Sequence, residues 1–210
     1  MKRILLQMML MCSLPAVLFA ANVNSPYEQY ACEGGYFSAM VPVDWSRSER
    51  GHPYGDLTKV YGVKLSGPKD RDGAAATISL LYYSGEKFFT DHRQYIKSRL
   101  DSMVRVDRGA EEDLAAVEIG GLAGTAFSIK TFELVYQPSS LRNIPPPPDD
   151  GSRIYEYAPP SKKVIMVEHF IVLPAGKGFS VLHYRAPIDT VGDYQKVFED
   201  VTASFRPQVK

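Results

Sequence analysis

The pair Gly120-Gly121, set between two runs of alternating apolar and polar residues, constrains this chain more than any other feature. A tight two-residue turn of type I′ between antiparallel strands needs positive φ at both central positions, which two glycines adopt at little cost. Residues 114–119 and 122–136 are therefore expected to form a hairpin, its second arm long and bent near Gly124. Residues 164–173 and 179–186 predict a second hairpin across 174–178. If Leu173 faces Phe179 across that turn, His169 lies directly opposite His183. Further strands are expected at 36–41, stopped by Pro42; at 59–65, stopped by Ser66-Gly67-Pro68; and at 75–83. The charged group between the last two, Pro68 to Asp72, reads as a solvated turn.

Two stretches change period from two to 3.6. Tyr95, Ile96, Leu100, Met103 and Val104 share one face of a helix near 90–104, with Thr90 placed to cap it and Asp91 favoured by the dipole. Val191, Tyr194, Val197, Phe198, Val201 and Phe205 make the stripe of a helix near 189–205, ended by Pro207. The fold class read from these elements is α+β, a central antiparallel sheet with helices packed on it.

Residues 1–20 have the layout of a secretory signal. Lys2 and Arg3 precede an apolar run from Ile4 to Phe19, and cleavage after Ala20 leaves a small residue at the cut. The run is broken by Gln7 and Pro15 and falls short of the ~20 residues that span a bilayer. A lipoprotein reading through Cys12 is disfavoured by Met11 just before it and by the apolar stub it would leave after it. The expected product is exported, with the periplasm as its destination and no membrane-spanning segment.

The full chain carries 24 basic and 24 acidic residues; without Lys2 and Arg3 the balance is 22 to 24, a formal charge of −2. That near-balance argues against nucleic acid as the main partner. Only Cys32 remains after cleavage, and burial as a small hydrophobe is its expected state. Residues 21–35 read as a flexible N-terminal arm, and residues 36–206 as one domain.

Residues 137–162 interrupt that domain with seven prolines, Pro145 to Pro148 among them. Missing N–H donors make regular pairing poor there and favour a short polyproline II segment. Tyr155 and Tyr157 sit in this loop, and aromatic anchors on a pre-extended segment lose little chain entropy on meeting a partner. Together with Pro145, Pro146, Pro147 and Pro148 they are the candidate contact residues.

The opening run Tyr36-Phe37-Ser38-Ala39-Met40-Val41-Pro42, followed by Asp44-Trp45, resembles the first strand and P-x-x-W of the PsbP-like superfamily. That superfamily includes photosystem II extrinsic proteins, Mog-type Ran-binding proteins and small bacterial exported proteins. The hairpin at Ile119-Gly120-Gly121 resembles its pattern, as do residues 178–187 with the closing Ala203-Ser204-Phe205. The resemblance covers most of residues 34–206 and implies an α/β/α sandwich whose members are accessory or binding proteins. It brings no catalytic residues, and the 137–162 insertion departs from it.

Few residues point to chemistry. His169 and His183, if opposite each other, would have Cβ atoms about 4.5–5.5 Å apart and could share a transition-metal ion. A third ligand is the difficulty, since strand alternation points Glu168 to the other face, and a one-residue slip would also separate the pair. Cys32 has no neighbouring base to activate it, and Glu111-Glu112-Asp113 lacks calcium-loop spacing. GxSxG, P-loop and dinucleotide motifs are absent, and no cofactor is implied. The function expected is an exported, non-enzymatic accessory domain contacting a protein or envelope component. The alternative is a small-ligand or metal-binding protein using the His169/His183 face.

Overall fold

The computed structural model describes residues 25–50, 59–85, 89–108, 113–136 and 161–208. The expected signal at 1–20 and most of the proline-rich loop, 137–160, lie outside these residues.

Among the described residues, ten strands and two helices follow one another along the chain. They are β1 (Tyr27–Ala31), β2 (Phe37–Pro42), β3 (Ser46–Arg50), β4 (Val60–Lys69), β5 (Ala75–Tyr83), α1 (His92–Leu100), β6 (Ala115–Ile119), β7 (Leu122–Tyr136), β8 (Ser161–Ala175), β9 (Gly178–Pro187), α2 (Val191–Ser204) and β10 (Arg206–Pro207). Seven strands form one antiparallel sheet in the order β3-β4-β5-β9-β8-β7-β6. A small second sheet, β1-β2-β10, lies against α2. The α+β class and the helix–sheet–helix layering both follow from this arrangement.

Each helix covers one side of the large sheet. On one side the buried Tyr95 of α1 meets Tyr83, Phe170 and Phe179, which strand alternation places together. On the other, Phe198 of α2 stacks on Tyr184 at 5.4 Å, and Trp45 meets Tyr194 edge-on at 5.7 Å. Phe37 of the small sheet stacks on Phe205 at 5.1 Å. Truncating a fully buried ring such as Phe170 or Phe205 to alanine costs about 3–5 kcal/mol, lost transfer energy plus the cavity left behind.

The hairpin at Gly120-Gly121 forms as the sequence predicts, with φ +58° and +82° and Ile119 closing on Leu122. Several expectations are corrected. Residues 25–35 are not a loose arm. β1 pairs along its whole length with β2, and Tyr30 and Cys32 are buried. β4 runs through Ser66-Gly67-Pro68 to Lys69, absorbing them in a register shift instead of stopping.

α1 ends at Leu100, so Met103 and Val104 lie beyond it and are exposed. Asp91, not Thr90, is its cap: the Asp91 carboxylate accepts from the Gln94 N–H at 2.9 Å, and the Gln94 side chain reaches back to the Thr90 N–H at 2.8 Å. Among the described residues, no helix is long and apolar enough to cross a membrane.

Candidate functional site

The turn between β8 and β9 decides where the two histidines go. It has two residues, Gly176-Lys177, with Gly176 at φ +58°. A two-residue turn of this kind takes glycine at its first position. The strands therefore run on to Ala175 and Gly178, and Leu173 faces Ser180, not Phe179. His183 is then opposite Phe170, and His169 opposite Tyr184. The expected shared metal site is overturned, because the two imidazoles stand on opposite sides of the sheet. Among the described residues, no three His, Cys, Asp or Glu side chains are grouped to hold an ion. Pro174 is tolerated in β8 because pairing with β7 ends at Thr125↔Val172, short of its missing N–H.

On the α1 side the same register brings Glu168 to His183. The Glu168 carboxylate accepts from the Thr131 hydroxyl (2.5 Å), meets His183 Nε2 (2.8 Å) and accepts from Arg185 Nε (3.2 Å). Arg185 also donates to Glu133 at 2.5 Å. His183 stacks on Phe170 at 4.2 Å, and Arg99 of α1 lies over the Tyr95 ring at 4.8 Å.

Burial opposes ionisation of Glu168. The hydrogen bond and charge of His183, with Thr131 and Arg185, outweigh it and bring the carboxyl down to about 2. Burial also disfavours protonated His183; Glu168 resists this and Arg99 and Arg185 reinforce it, leaving its pKa below 6.5. At neutral pH a carboxylate thus faces a neutral imidazole and a guanidinium. The cluster is satisfied and half-buried, and it ties β7, β8 and β9 together.

On the α2 side His169 has a simpler setting. Its Nδ1 pairs with the Ser128 hydroxyl at 2.6 Å, and its ring stacks on Tyr184 at 5.9 Å. Burial, then the charge of His183, lower its pKa. His169 and Ser128 border a groove of about 360 Å³ at the outer edge of β7, with Phe198 and Glu199 of α2 on its far wall.

Cys32 is buried and free, its thiol donating to the Glu33 carbonyl at 3.3 Å. Burial first, with the charges of Glu49 and Glu33, pushes the thiol up to about 11, leaving it protonated and unreactive at neutral pH. Pro145, Pro146, Pro147, Pro148, Tyr155 and Tyr157 lie outside the described residues.

The strands that carry the loop are described as far as Tyr136 and from Ser161. There β7 and β8 form a two-stranded ribbon, with Phe132, Leu134 and Tyr136 on one face. Lys163 lies over the Phe132 ring at 4.3 Å, while Leu134 and Tyr136 are 48% and 52% exposed. The sequence reading missed Arg185, Thr131 and Ser128. Their signal was the period-two spacing of Glu168 with Phe170, and of His183 with Arg185, usable only once the turn length is known.

No family model and no curated protein matches this chain. Solved structures with a similar path include a Bacteroides thetaiotaomicron protein, 15% identical over 88% of this chain with TM-score 0.43; this chain spans about half of it, 49%. They also include cyanobacterial PsbP (CyanoP) of Synechocystis sp. PCC 6803, 12% identical over 89% of this chain and 96% of that one, with TM-score 0.45. A third is the Ran-binding protein Mog1p of Saccharomyces cerevisiae, 10% identical over 86% and 95%, with TM-score 0.42.

Proposed function

We propose that this chain is an exported, non-enzymatic accessory domain that binds a protein or envelope component through the end of the β7–β8 ribbon and the proline-rich stretch joining its strands. The observation that carries the reading is the ribbon itself. Leu134 and Tyr136 stand half-exposed on one face, and among the described residues no strand pairs with the outer edge of β7 beyond Thr131. An open edge with apolar side chains in alternate positions is a surface to which an extended segment can add. Pro145 to Pro148, Tyr155 and Tyr157 lie in the stretch that joins these two strands in sequence. Export rests on residues 1–20, whose charge and apolar run match a cleaved signal.

In-cell crosslinking with mass spectrometry tests this, comparing the full chain, a variant lacking residues 139–160, and Leu134→Ser/Tyr136→Ser. The reading expects a specific partner that both variants lose. A partner retained by both would move the contact surface elsewhere.

A further inference from the structure

Among the described residues, the outer edge of β7 is left open at Ser128, between two occupied positions. β6 pairs with it as far as Ala115↔Ala126. The segment after α1 takes the edge up again at Lys130, whose carbonyl accepts from the Val106 N–H (2.8 Å) and whose N–H donates to the Asp107 carboxylate (3.0 Å). Backbone groups of a paired strand alternate in direction with period two. The hairpin closing on Ile119↔Leu122 turns Leu122, Gly124 and Ala126 toward β6, and Lys130 points the same way. Ser128, in phase with both, directs its N–H and C=O outward between two filled positions.

This break in the ladder opens into the 360 Å³ groove. Its apolar lining is Ala126, Ile171 and Phe198, and its acidic lining includes Asp113 and Glu199. Asp107, a third carboxylate in the groove, is already held by Arg105 at 2.6 Å. Among the described residues, Glu199 accepts from the Gln195 side-chain amide alone, at 3.0 Å, and neither it nor Asp113 has an ion-pair partner. His169, its pKa lowered by burial, adds no positive charge at neutral pH. A donor and acceptor side by side match the backbone of one extended residue, and the two carboxylates match a cation on its side chain.

We infer that the groove binds an extended peptide segment at a basic residue, which bridges the Ser128 N–H and C=O and turns its cationic side chain toward Asp113 and Glu199. The site is separate from the ribbon end, so either reading can fail without the other.

The test is an amide-resolved NMR titration of the mature chain with acetylated, amidated Ala-Arg-Ala and its Ala-Glu-Ala counterpart. The inference expects the arginine peptide to shift the amides of Ser128 and of residues 195–199, and Asp113→Asn/Glu199→Gln to weaken binding by about tenfold. Ser128→Ala keeps the backbone donor and should retain binding. Ser128→Pro removes an N–H that has no partner among the described residues, and should lose it. If Ser128→Pro does not fold, the Ser128 amide shift and the carboxylate variant decide. Equal binding of the glutamate peptide, or of a bare guanidinium compound lacking the peptide bonds, would overturn the inference. A Ser128 amide that does not move would do the same. Leu134→Ser/Tyr136→Ser should leave this binding unchanged.

Discussion

His183 and His169 sit on neighbouring strands, one residue out of step, and the sheet gives them opposite surroundings. On the α1 side, His183 joins Glu168, Thr131 and Arg185 in a cluster whose polar groups answer one another under a partial cover. On the α2 side, His169 has Ser128 as its hydrogen-bond partner and borders a groove at an unfinished strand edge. The first arrangement uses its polar atoms to hold three strands in register. Around the second, the described residues give the Ser128 backbone groups no partner and Asp113 and Glu199 no ion pair. Pairing register, more than residue type, assigns a histidine to structure or to a surface.

The sharpest way to break this contrast is to remove the centre of the closed cluster. Glu168→Leu leaves Arg185 without its buried acceptor and should cost about 2–3 kcal/mol in urea denaturation. The mildest change on the open side, His169→Gln, should stay within about 1 kcal/mol by the same measurement. Comparable losses for both would erase the distinction.

Acid should expose the cluster in two stages. His183 has its pKa lowered below 6.5, so its contribution is complete above that pH and is lost as pH falls through the folded value. Glu168 drops from 4.5 to about 2, so its contribution is present above 4.5 and lost on the way down to 2. Both have the same sign, and melting temperature should fall first below pH 6.5 and again below 4.5. His183→Gln should remove most of the upper stage and also shrink the lower one, because His183 supplies the largest contributions that bring Glu168 down. A melting temperature that rises with acid would reverse the assignment. The smallest effect belongs to the ribbon: Leu134→Ser/Tyr136→Ser should change stability by less than about 0.5 kcal/mol per site, since both side chains are half-exposed.

The sheet was legible wherever burial imposed a pattern. Residues 75–83 show alternating apolar positions with β-branched and aromatic side chains, and α2 keeps its stripe through Val201. Gly120-Gly121 announced its turn because few other pairs adopt that backbone. β1 and β3 escaped notice for the opposite reason. Tyr27–Ala31 buries one side chain, and Ser46–Arg50 is a polar edge strand, so each is held by backbone pairing that leaves no mark in residue type.

The end of α1 was missed because Met103 and Val104 continue a helical spacing without being buried. The β8–β9 register failed on Pro174 and Gly178, which read as loop residues but lie within strands. That single slip carried the candidate metal site with it. The groove at Ser128 was invisible because it is built from a gap between partners, and no local run of residues encodes a gap.

The division between a closed face and an open edge is tested most directly by residue-resolved amide hydrogen exchange along β7 in the isolated chain lacking residues 1–20. Ala126 and Lys130 have partners for their outward N–H groups, while Ser128, Leu134 and Tyr136 direct theirs outward past the paired positions. The account predicts fast exchange at Ser128, Leu134 and Tyr136. It predicts slow exchange at Ala126 and Lys130 and at the odd-numbered residues Ile129, Glu133 and Val135, which point toward β8. Uniformly slow exchange from Ser128 to Tyr136 would mean the edge is already covered, and would contradict both the ribbon surface and the open groove.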